Sequence, residues 1–305
     1  MSSVQVRPFR RSDREQLTVL VNRHIQVVVP GMSVSANTVL SQLEREPGEP
    51  IVDPWVAERR TLVAVQHDRL VAAAHLLRYG DSEPVGEGYR GLGEIRWLVC
   101  WPPDFPWNDA EHAGDVLAAA CHQQFDAWRV LRRSADGALP APGIYGVPEQ
   151  WPHVRAIYER AGFGYDGQHT EVVLLARVED LPRVGEPPIP GLAVRRSVGI
   201  NGTRFSAYLG DLRVGYIEVE NLADAGRVAR HDGWADIGNL HILEDYQRRG
   251  IATWLFGLVA DWLRMANVDR LLEYALSTAD AELALFRKLG FVELTRTDRG
   301  FDTRS

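Results

Sequence analysis

The stretch QRRGIA, residues 247–252, has the residue types and spacing best suited to holding an anion. It precedes TWLFGLVADWLRMA, whose apolar positions recur with the spacing of a helix. A glycine at a helix start lets the backbone approach a ligand, and the first N–H groups of a helix lack partners within it. These groups and the positive end of the helix dipole favour phosphate. A tight turn explains a lone glycine equally well, so the surrounding elements must decide.

Those elements occur twice along the chain. Each half reads as strand, hairpin, strand, long helix, strand, helix and strand, and each last helix closes on a glycine followed by Phe. The matching segments are VQVRPF (4–9) with LAVRRS (192–197), VAVQHDRLVAAAHL (63–76) with SAYLGDLRVGYIEV (206–219), GEIRWLVC (93–100) with ADIGNLHI (235–242), and AIYERAGF (156–163) with ALFRKLGF (284–291).

The halves differ by two insertions in the first one. Before its hairpin, the first half carries two amphipathic segments opened by Ser, at 12–29 and 35–46, which predict helices; the second half has only VGINGT there. The first half also has WPPDFPWNDAEHAGD (101–115) where the second has QRRGIA. We therefore expect the second half to lack the early helices and the first half to lack the anion-binding turn.

Between the halves lies VEDLPRVGEPPIPG (178–191), whose four prolines predict a stiff, extended linker. We place domains at 1–180 and 192–305, joined by 181–191. The last residues, TDRGFDTRS, are short for a final strand, so we expect the first half or a second subunit to cover that sheet edge.

Composition indicates an ordinary globular protein of two domains, with 305 residues, 45% hydrophobic and 25% charged. A net charge of -7 argues against nucleic acid or an anionic membrane as a partner. Cys100 and Cys121 stand in apolar surroundings and read as reduced core residues. No signal-peptide core or membrane-length apolar run is visible, so we expect a cytoplasmic protein, monomeric or homodimeric.

The order NLHILEDY, then Q-x-x-G-x-A, then LFRKLGF resembles the GCN5-related N-acetyltransferases, whose Q/R-x-x-G-x-G/A motif holds the pyrophosphate of acetyl-CoA. The resemblance covers residues 192–305; in the first half it is structural only. It implies an α+β (α/β) chain of two tandem GNAT-like domains, each a mixed, mostly antiparallel twisted sheet flanked by helices. The first domain would be degenerate, a substrate wall or lid, and the second would bind acetyl-CoA.

The resemblance assigns cofactor contacts to two groups of residues in the second half. Backbone amides of the turn and helix start would hold the pyrophosphate, with Gln247 shaping the turn, and the backbone of the preceding strand would meet the pantetheine arm. The residues assigned are Leu240, His241, Ile242, Gln247, Arg248, Arg249, Gly250, Ile251, Ala252, Thr253 and Phe286.

Acetyl transfer to an amine needs a base for the ammonium and gains from a proton donor to the thiolate. In the family the base is commonly a carboxylate at the position of Asp236, which would act here through a water; a polar residue on a solvent-facing strand is the alternative. The family's usual donor is a Tyr, but this sequence has Phe286 there. Tyr274, Ser277 and Tyr246 are possible substitutes, and we assign Tyr274.

The first half keeps a Tyr at 158 and a carboxylate at Glu94, which we interpret as inherited packing because no phosphate turn accompanies them. A metal site is not expected, since His231, Asp232, Asp236 and His241 lack the spacing that places two ligands on one helix face.

These features predict direct acetyl transfer from acetyl-CoA to a primary amine of a small molecule in a ternary complex. The acceptor would bind at the seam between the halves, and the acidic charge would suit a cationic acceptor. The alternatives are a catalytically weak acyl-CoA sensor or interaction module, and an acetyltransferase for protein amines.

Overall fold

The computed structural model describes residues 4–45, 51–102, 110–222 and 233–303. They form two compact units, the first comprising Met1–Thr170 with Thr295–Ser305 and the second Glu171–Leu294. Within the described ranges, no helix combines the length and the apolar content needed to cross a membrane.

The elements follow the predicted order in both halves. Those of the first half are β1 (Gln5–Pro8), α1 (Arg14–Val28), α2 (Ala36–Glu44), β2 (Val56–Gln66), β3 (Arg69–Tyr79), β4 (Leu92–Cys100), α3 (Ala110–Trp128), β5 (Arg132–Ala135), β6 (Val147–Pro148), α4 (Pro152–Arg160), β7 (Phe163–Tyr165) and β8 (Thr170–Arg177). Those of the second half are β9 (Leu192–Val198), β10 (Thr203–Leu209), β11 (Leu212–Asn221), β12 (Trp234–Ile242), α5 (Ile251–Met265), β13 (Arg270–Leu276), α6 (Asp280–Leu289), β14 (Val292–Asp298) and β15 (Phe301–Thr303).

The first unit contains the two early helices that its sequence predicts. The apolar face of α1 is fully buried at Leu17, Leu20 and Ile25, and Ser35 caps the N-terminus of α2, its hydroxyl accepting the Thr38 N–H at 3.1 Å. The sheet has the order β1-β2-β3-β4-β5-β15-β7, antiparallel except between β4 and β5. The last strand of the chain therefore lies inside the sheet of the first unit.

The second unit has neighbouring strands in the order β8-β13-β12-β11-β10-β9, antiparallel except between β12 and β13. Its β9 leads directly into β10 through a turn, so the predicted absence of early helices is confirmed for this fully described stretch. Helices α5 and α6 share one core with the sheet residues Phe205, Ile217 and Ile237. The predicted class, two mostly antiparallel mixed sheets flanked by helices, is confirmed.

The glycines predicted to end the last helix of each half do so. Gly162 and Gly290 have φ values of 86° and 98°, the left-handed conformation that only glycine adopts without strain.

Strand β8 covers the edge of β13, pairing with it antiparallel from Glu171 to Arg177. The expectation that residues of the first half cover this edge is thus confirmed. The reciprocal exchange, β15 pairing with β5 and β7 in the first unit, was not predicted.

The compact units differ from the predicted domain boundaries at both ends of the second half. Residues 171–191 belong to the second unit, and 295–305 belong to the first. The proline-rich segment 178–189, which we call the strap, lies along α5. The N–H of Val184 donates to Asp261 at 3.3 Å, Trp254 donates to the Gly185 carbonyl at 3.2 Å, and Arg264 donates to the Leu181 carbonyl at 2.6 Å. Hydrogen bonds along the helix make the predicted linker part of the folded unit.

Candidate functional site

A gap opens between β12 and β13 in the second unit. The two strands pair only from Trp234 to Asp236, opposite Arg270 to Leu272. Beyond Asp236, β12 continues to Ile242 while pairing only with β11. Among the described residues, no strand pairs with the backbone edge of the far half of β12 that faces the gap.

The register of β12 on β11 shows which residues present that edge. The N–H of Leu243 donates to the carbonyl of Val214 at 2.9 Å, so Leu243 points its backbone groups toward β11. Because these groups alternate along a strand, those of Leu240 and Ile242 point the other way, into the gap. These are the two residues predicted to meet a pantetheine arm, whereas His241 turns its backbone toward β11 and its exposed side chain away from the core.

A β-bulge at Gly238 lies just before this edge. Glu218 pairs with Asn239 and Val219 with Ile237, which leaves Gly238 as the extra residue. A β-carbon there would overlap the side chain of Asn201, whose Nδ2 donates to the Gly238 carbonyl at 3.2 Å. The bulge thus requires glycine, and it redirects β12 at the point where β13 departs.

The turn that follows β12 is tied back to the same edge. Gln247 Nε2 donates to the Ile242 carbonyl at 3.1 Å, one of the groups that faces the gap. Arg248 and Gly250 have φ values of 58° and 83°, which bring the chain sharply into α5. The guanidinium of Arg249 lies 5.4 Å from the ring centre of Tyr246. The prediction that Gln247 shapes the turn is consistent with this hydrogen bond.

The N-terminus of α5 fits a pyrophosphate group. No side chain of the described residues caps it, and the first intrahelical bond runs from Trp254 to the Gly250 carbonyl at 3.0 Å. The N–H groups of Ile251, Ala252 and Thr253 therefore have no acceptor within the helix. Arg248 and Arg249 are exposed beside them. A 15-residue helix also places the positive end of its dipole here.

Asp236 and Tyr274 lie on one face of the sheet, at the start of the gap. Asp236 pairs with Leu272, so Tyr274, two residues further along β13, points to the same side. That side is opposite to α5 and α6, because the neighbours Ile237, Leu271 and Ala275 belong to the core that these helices cover. Asp236 is 4% exposed and Tyr274 is half-buried. The fold therefore brings the predicted base and the predicted proton donor to a shared face.

Glu273 is a buried carboxyl at the gap that sequence reasoning missed. Its Oε1 accepts the Tyr274 N–H at 3.3 Å, and its Oε2 has no hydrogen-bond partner among the described residues. Burial raises the pKa of Glu273 well above 4.5; the Tyr274 N–H opposes this, and the charges of Asp236 and Glu282 add to it. A carboxyl inside the apolar run LLEYAL was the available signal.

Phe286 is a core residue of the second unit. It is 2% exposed, with its ring centre 6.0 Å from that of Phe256 and 5.7 Å from that of Phe291. Packing alone accounts for it, and its assigned contact with the cofactor stays a prediction.

The first unit has a buried polar network near β4 and the residues that follow β5. Tyr79 Oη donates to Glu94 at 2.5 Å, and Tyr158 Oη donates to the Asp136 carbonyl at 2.7 Å. Burial raises the pKa of Asp136 to about 7, against the opposing charge of Arg299. Glu94 and Tyr158 therefore have structural partners, which supports their interpretation as packing residues.

His231 and Asp232 lie outside the described residues. Among the side chains that are described, no group of three or more His, Cys, Asp or Glu is placed to hold a metal ion.

Residues 194–291 match the family model described as "Acetyltransferase (GNAT) family". No curated protein matches the sequence significantly. Among solved structures, a tandem GNAT protein from the clavulanic acid biosynthesis pathway aligns with a TM-score of 0.66 at 12% identity, covering 99% of both chains. A GCN5-related N-acetyltransferase from Sphaerobacter thermophilus aligns with a TM-score of 0.64 at 15% identity, covering 99% of this chain and 96% of that one.

A third structure is a glucosamine N-acetyltransferase region of a fungal multi-domain GH3 beta-N-acetylglucosaminidase. It has a TM-score of 0.65 at 11% identity, and the match covers 98% of this chain but 38% of that one. Identities this low establish a shared fold alone. The predicted resemblance is confirmed to that extent: a family match in the second half and a tandem fold over the whole chain.

Proposed function

We propose, from the match of residues 194–291 to the acetyltransferase (GNAT) family model, that this chain is an acyl-CoA-dependent N-acetyltransferase for small primary amines. The observation that carries the proposal is the hydrogen bond from Gln247 to the Ile242 carbonyl. It joins the two binding features of the second unit, the unpaired edge of β12 and the uncapped N-terminus of α5.

The binding roles follow from backbone geometry. The N–H groups of Ile251 to Thr253 and the turn at Gly250 would hold the pyrophosphate of acetyl-CoA, because they are uncapped and lie at the positive end of α5. The backbone groups of Leu240 and Ile242 would hold the pantetheine arm as a strand holds its neighbour. Bound there, acetyl-CoA supplies the thioester that the amine attacks.

The catalytic roles are assigned to the face that Asp236 and Tyr274 share. Asp236 would accept the proton of the ammonium through a water, and Tyr274 would donate a proton to the departing thiolate. Holding both reactants at one gap in the sheet would add the advantage of proximity. The prediction that the acceptor binds at the seam between the halves stays a prediction.

A second candidate function is an acyl-CoA sensor with weak or no turnover. The observation that favours it is Phe286, which fills the core at the position where the family carries a catalytic Tyr. This candidate shares the binding roles above and differs only in the chemistry.

The test measures thiol release from acetyl-CoA across a panel of primary amines, with acetyl-CoA binding followed by calorimetry. We expect turnover of at least one small amine. Asp236→Asn should lower kcat by about a hundredfold or more while leaving acetyl-CoA affinity unchanged.

The other outcomes separate the candidates. Acetyl-CoA binding without turnover of any amine would favour the sensor. Turnover of protein amines alone would show that the acceptor is a protein and not a small molecule. Absence of acetyl-CoA binding would overturn both the enzyme and the sensor.

A further inference from the structure

We propose that the acceptor carries an anionic group, a carboxylate or a phosphate, in addition to its amine, and that Arg195 and Arg213 bind that group. This inference rests on the proposed function and specifies its substrate class. It comes from the sheet face of the second unit that α5 and α6 leave uncovered.

Rows of paired residues cross this face from strand to strand. One row places Arg195 of β9 beside Ser206, Tyr216 and His241. The next row places Ser197 beside Arg204, Glu218 and Asn239. A third pair, Glu220 with Asp236, lies at the start of the gap.

The uncovered face is the one available to an acceptor. On the opposite face, Phe205, Ile217 and Ile237 are packed under α5 and α6. On this face, Asn239 and His241 are exposed and Tyr216 is half-buried, although they lie directly beside the backbone edge that would hold the pantetheine arm. An amine bound on this face would lie over Tyr216, whose hydroxyl accepts from Asn239 Nδ2 at 3.0 Å, with its nitrogen directed toward the buried Asp236.

Charge is separated along this approach. Carboxylates lie at the gap, on Asp236 and Glu220, and cations lie at the outer end, on Arg195 and Arg213. Tyr216 and Glu220 are four residues apart on β11, so the two rows that contain them lie about 13 Å apart along the strand. An acceptor with an amine at one end and an anion at the other matches this order of charges.

The guanidiniums at the outer end are held in place without a carboxylate. That of Arg213 lies 5.3 Å from the ring centre of Tyr216, and that of Arg195 lies 4.5 Å from the ring centre of Tyr208. Neither has an ion-pair partner among the residues that the structure describes. Arg204, by contrast, is neutralised by the fully buried Glu218, with Nε and Oε1 2.6 Å apart.

The stacking matters for recognition because it orients each guanidinium while leaving its N–H groups for a ligand. A planar guanidinium binds carboxylate or phosphate with two hydrogen bonds, which is stronger than contact with a neutral group. Polyamines, favoured by the net charge of the chain, would be repelled at this end.

The test compares matched acceptors in the thiol-release assay with acetyl-CoA. The probes are 6-aminohexanoate and 8-aminooctanoate with their methyl esters, glucosamine 6-phosphate with glucosamine, and spermidine. We expect about a tenfold or larger preference in kcat/KM for the anionic member of at least one pair. A preference for the amino acids over their esters would indicate a carboxylate, and a preference for glucosamine 6-phosphate over glucosamine would indicate a phosphate.

The double substitution R195Q/R213Q should abolish that preference, chiefly by raising KM for the anionic acceptor, with KM for acetyl-CoA unchanged. The matched control is Arg196→Gln. Arg196 is an exposed arginine of the same strand, but it pairs with the core residue Phe205 and so lies on the opposite face. This control should keep the preference.

Equal or better turnover of the esters, glucosamine or spermidine by the unaltered protein would overturn the inference and leave the acetyltransferase intact. So would a preference that survives in R195Q/R213Q. Absence of turnover with every amine would contradict the proposed acetyltransferase function, and with it the inference about the acceptor.

Discussion

Asp236 of β12 and Leu272 of β13 form the last residue pair before the two strands separate. Asp236 and Leu272 therefore point to the same face of the sheet. Tyr274 points to that face too, because it lies two residues beyond Leu272 on β13. It also marks the start of the unpaired edge that reaches the turn at Gly250.

Replacing Gly250 with Asp should abolish or strongly weaken acetyl-CoA binding. The substitution places a β-carbon at a φ of 83° and 3.2 Å from Pro188 Cβ, and it adds negative charge where the pyrophosphate would bind. We expect affinity to fall by about tenfold or more, measured by calorimetry. Gly210→Asp is the matched control, since Gly210 also has positive φ, at 62°, but lies in the β10–β11 turn with open space around it. Similar losses in both variants would contradict the assignment.

Replacing Tyr274 with Phe should lower kcat by about tenfold or more without changing acetyl-CoA affinity, because only the proton donor is removed. Tyr246→Phe is the comparison variant, since Tyr246, beside Arg249 in the turn, is the other tyrosine considered as the donor and should keep its kcat if the assignment to Tyr274 is correct. An unchanged kcat would remove Tyr274 from the mechanism.

Replacing Gly257 with Ala should destabilise the protein, although alanine favours helices. A β-carbon at this position would lie 2.9 Å from Val184 Cα, so the strap would have to move. We expect a loss of about 1–3 kcal/mol in the free energy of unfolding, observed as a lower Tm. Gly185→Ala, on the strap itself, meets nothing within 4 Å and should have little effect. A Tm raised by Gly257→Ala would show that the strap is not packed as described.

Replacing Glu273 with Gln should flatten the pH dependence of stability. Because burial raises the pKa of Glu273 in the folded protein above the ordinary 4.5, its contribution to stability is complete below pH 4.5 and is lost as pH rises through the folded pKa. The unaltered protein should therefore lose up to about 1.4 kcal/mol per pH unit in that window relative to the variant. Denaturant unfolding at a series of pH values measures this, and parallel curves for the two proteins would contradict it.

Much of the fold was predictable because local patterns determine it. Gly162 and Gly290 mark helix ends through their conformation, and the short VGINGT turn leaves no room for helices. The turn at 247–252 was recognisable for the same reason, since the anion binding proposed for it depends on the backbone of consecutive residues.

The rest depends on partners distant in sequence. Strands β8 and β15 each lie near the end of a half, and nothing in their residues indicates which sheet they join. The prolines of the strap indicate an extended segment but not the helix that it packs on, because the close approach of Val184 to Gly257 joins residues more than 70 positions apart. Glu273 was missed because its chemistry arises from burial at the gap.

The exchange of β8 and β15 has a consequence for how the protein is made. In the first unit, Phe301 of β15 pairs with Ala135 and Tyr165, so β7 is not joined to the rest of the sheet until residues 301–303 have been synthesised. Contacts between such distant residues slow folding, and an incomplete sheet exposes strand edges in the meantime. For the same reason, a fragment starting at residue 192 would lack β8, so the second unit produced alone should begin no later than Thr170.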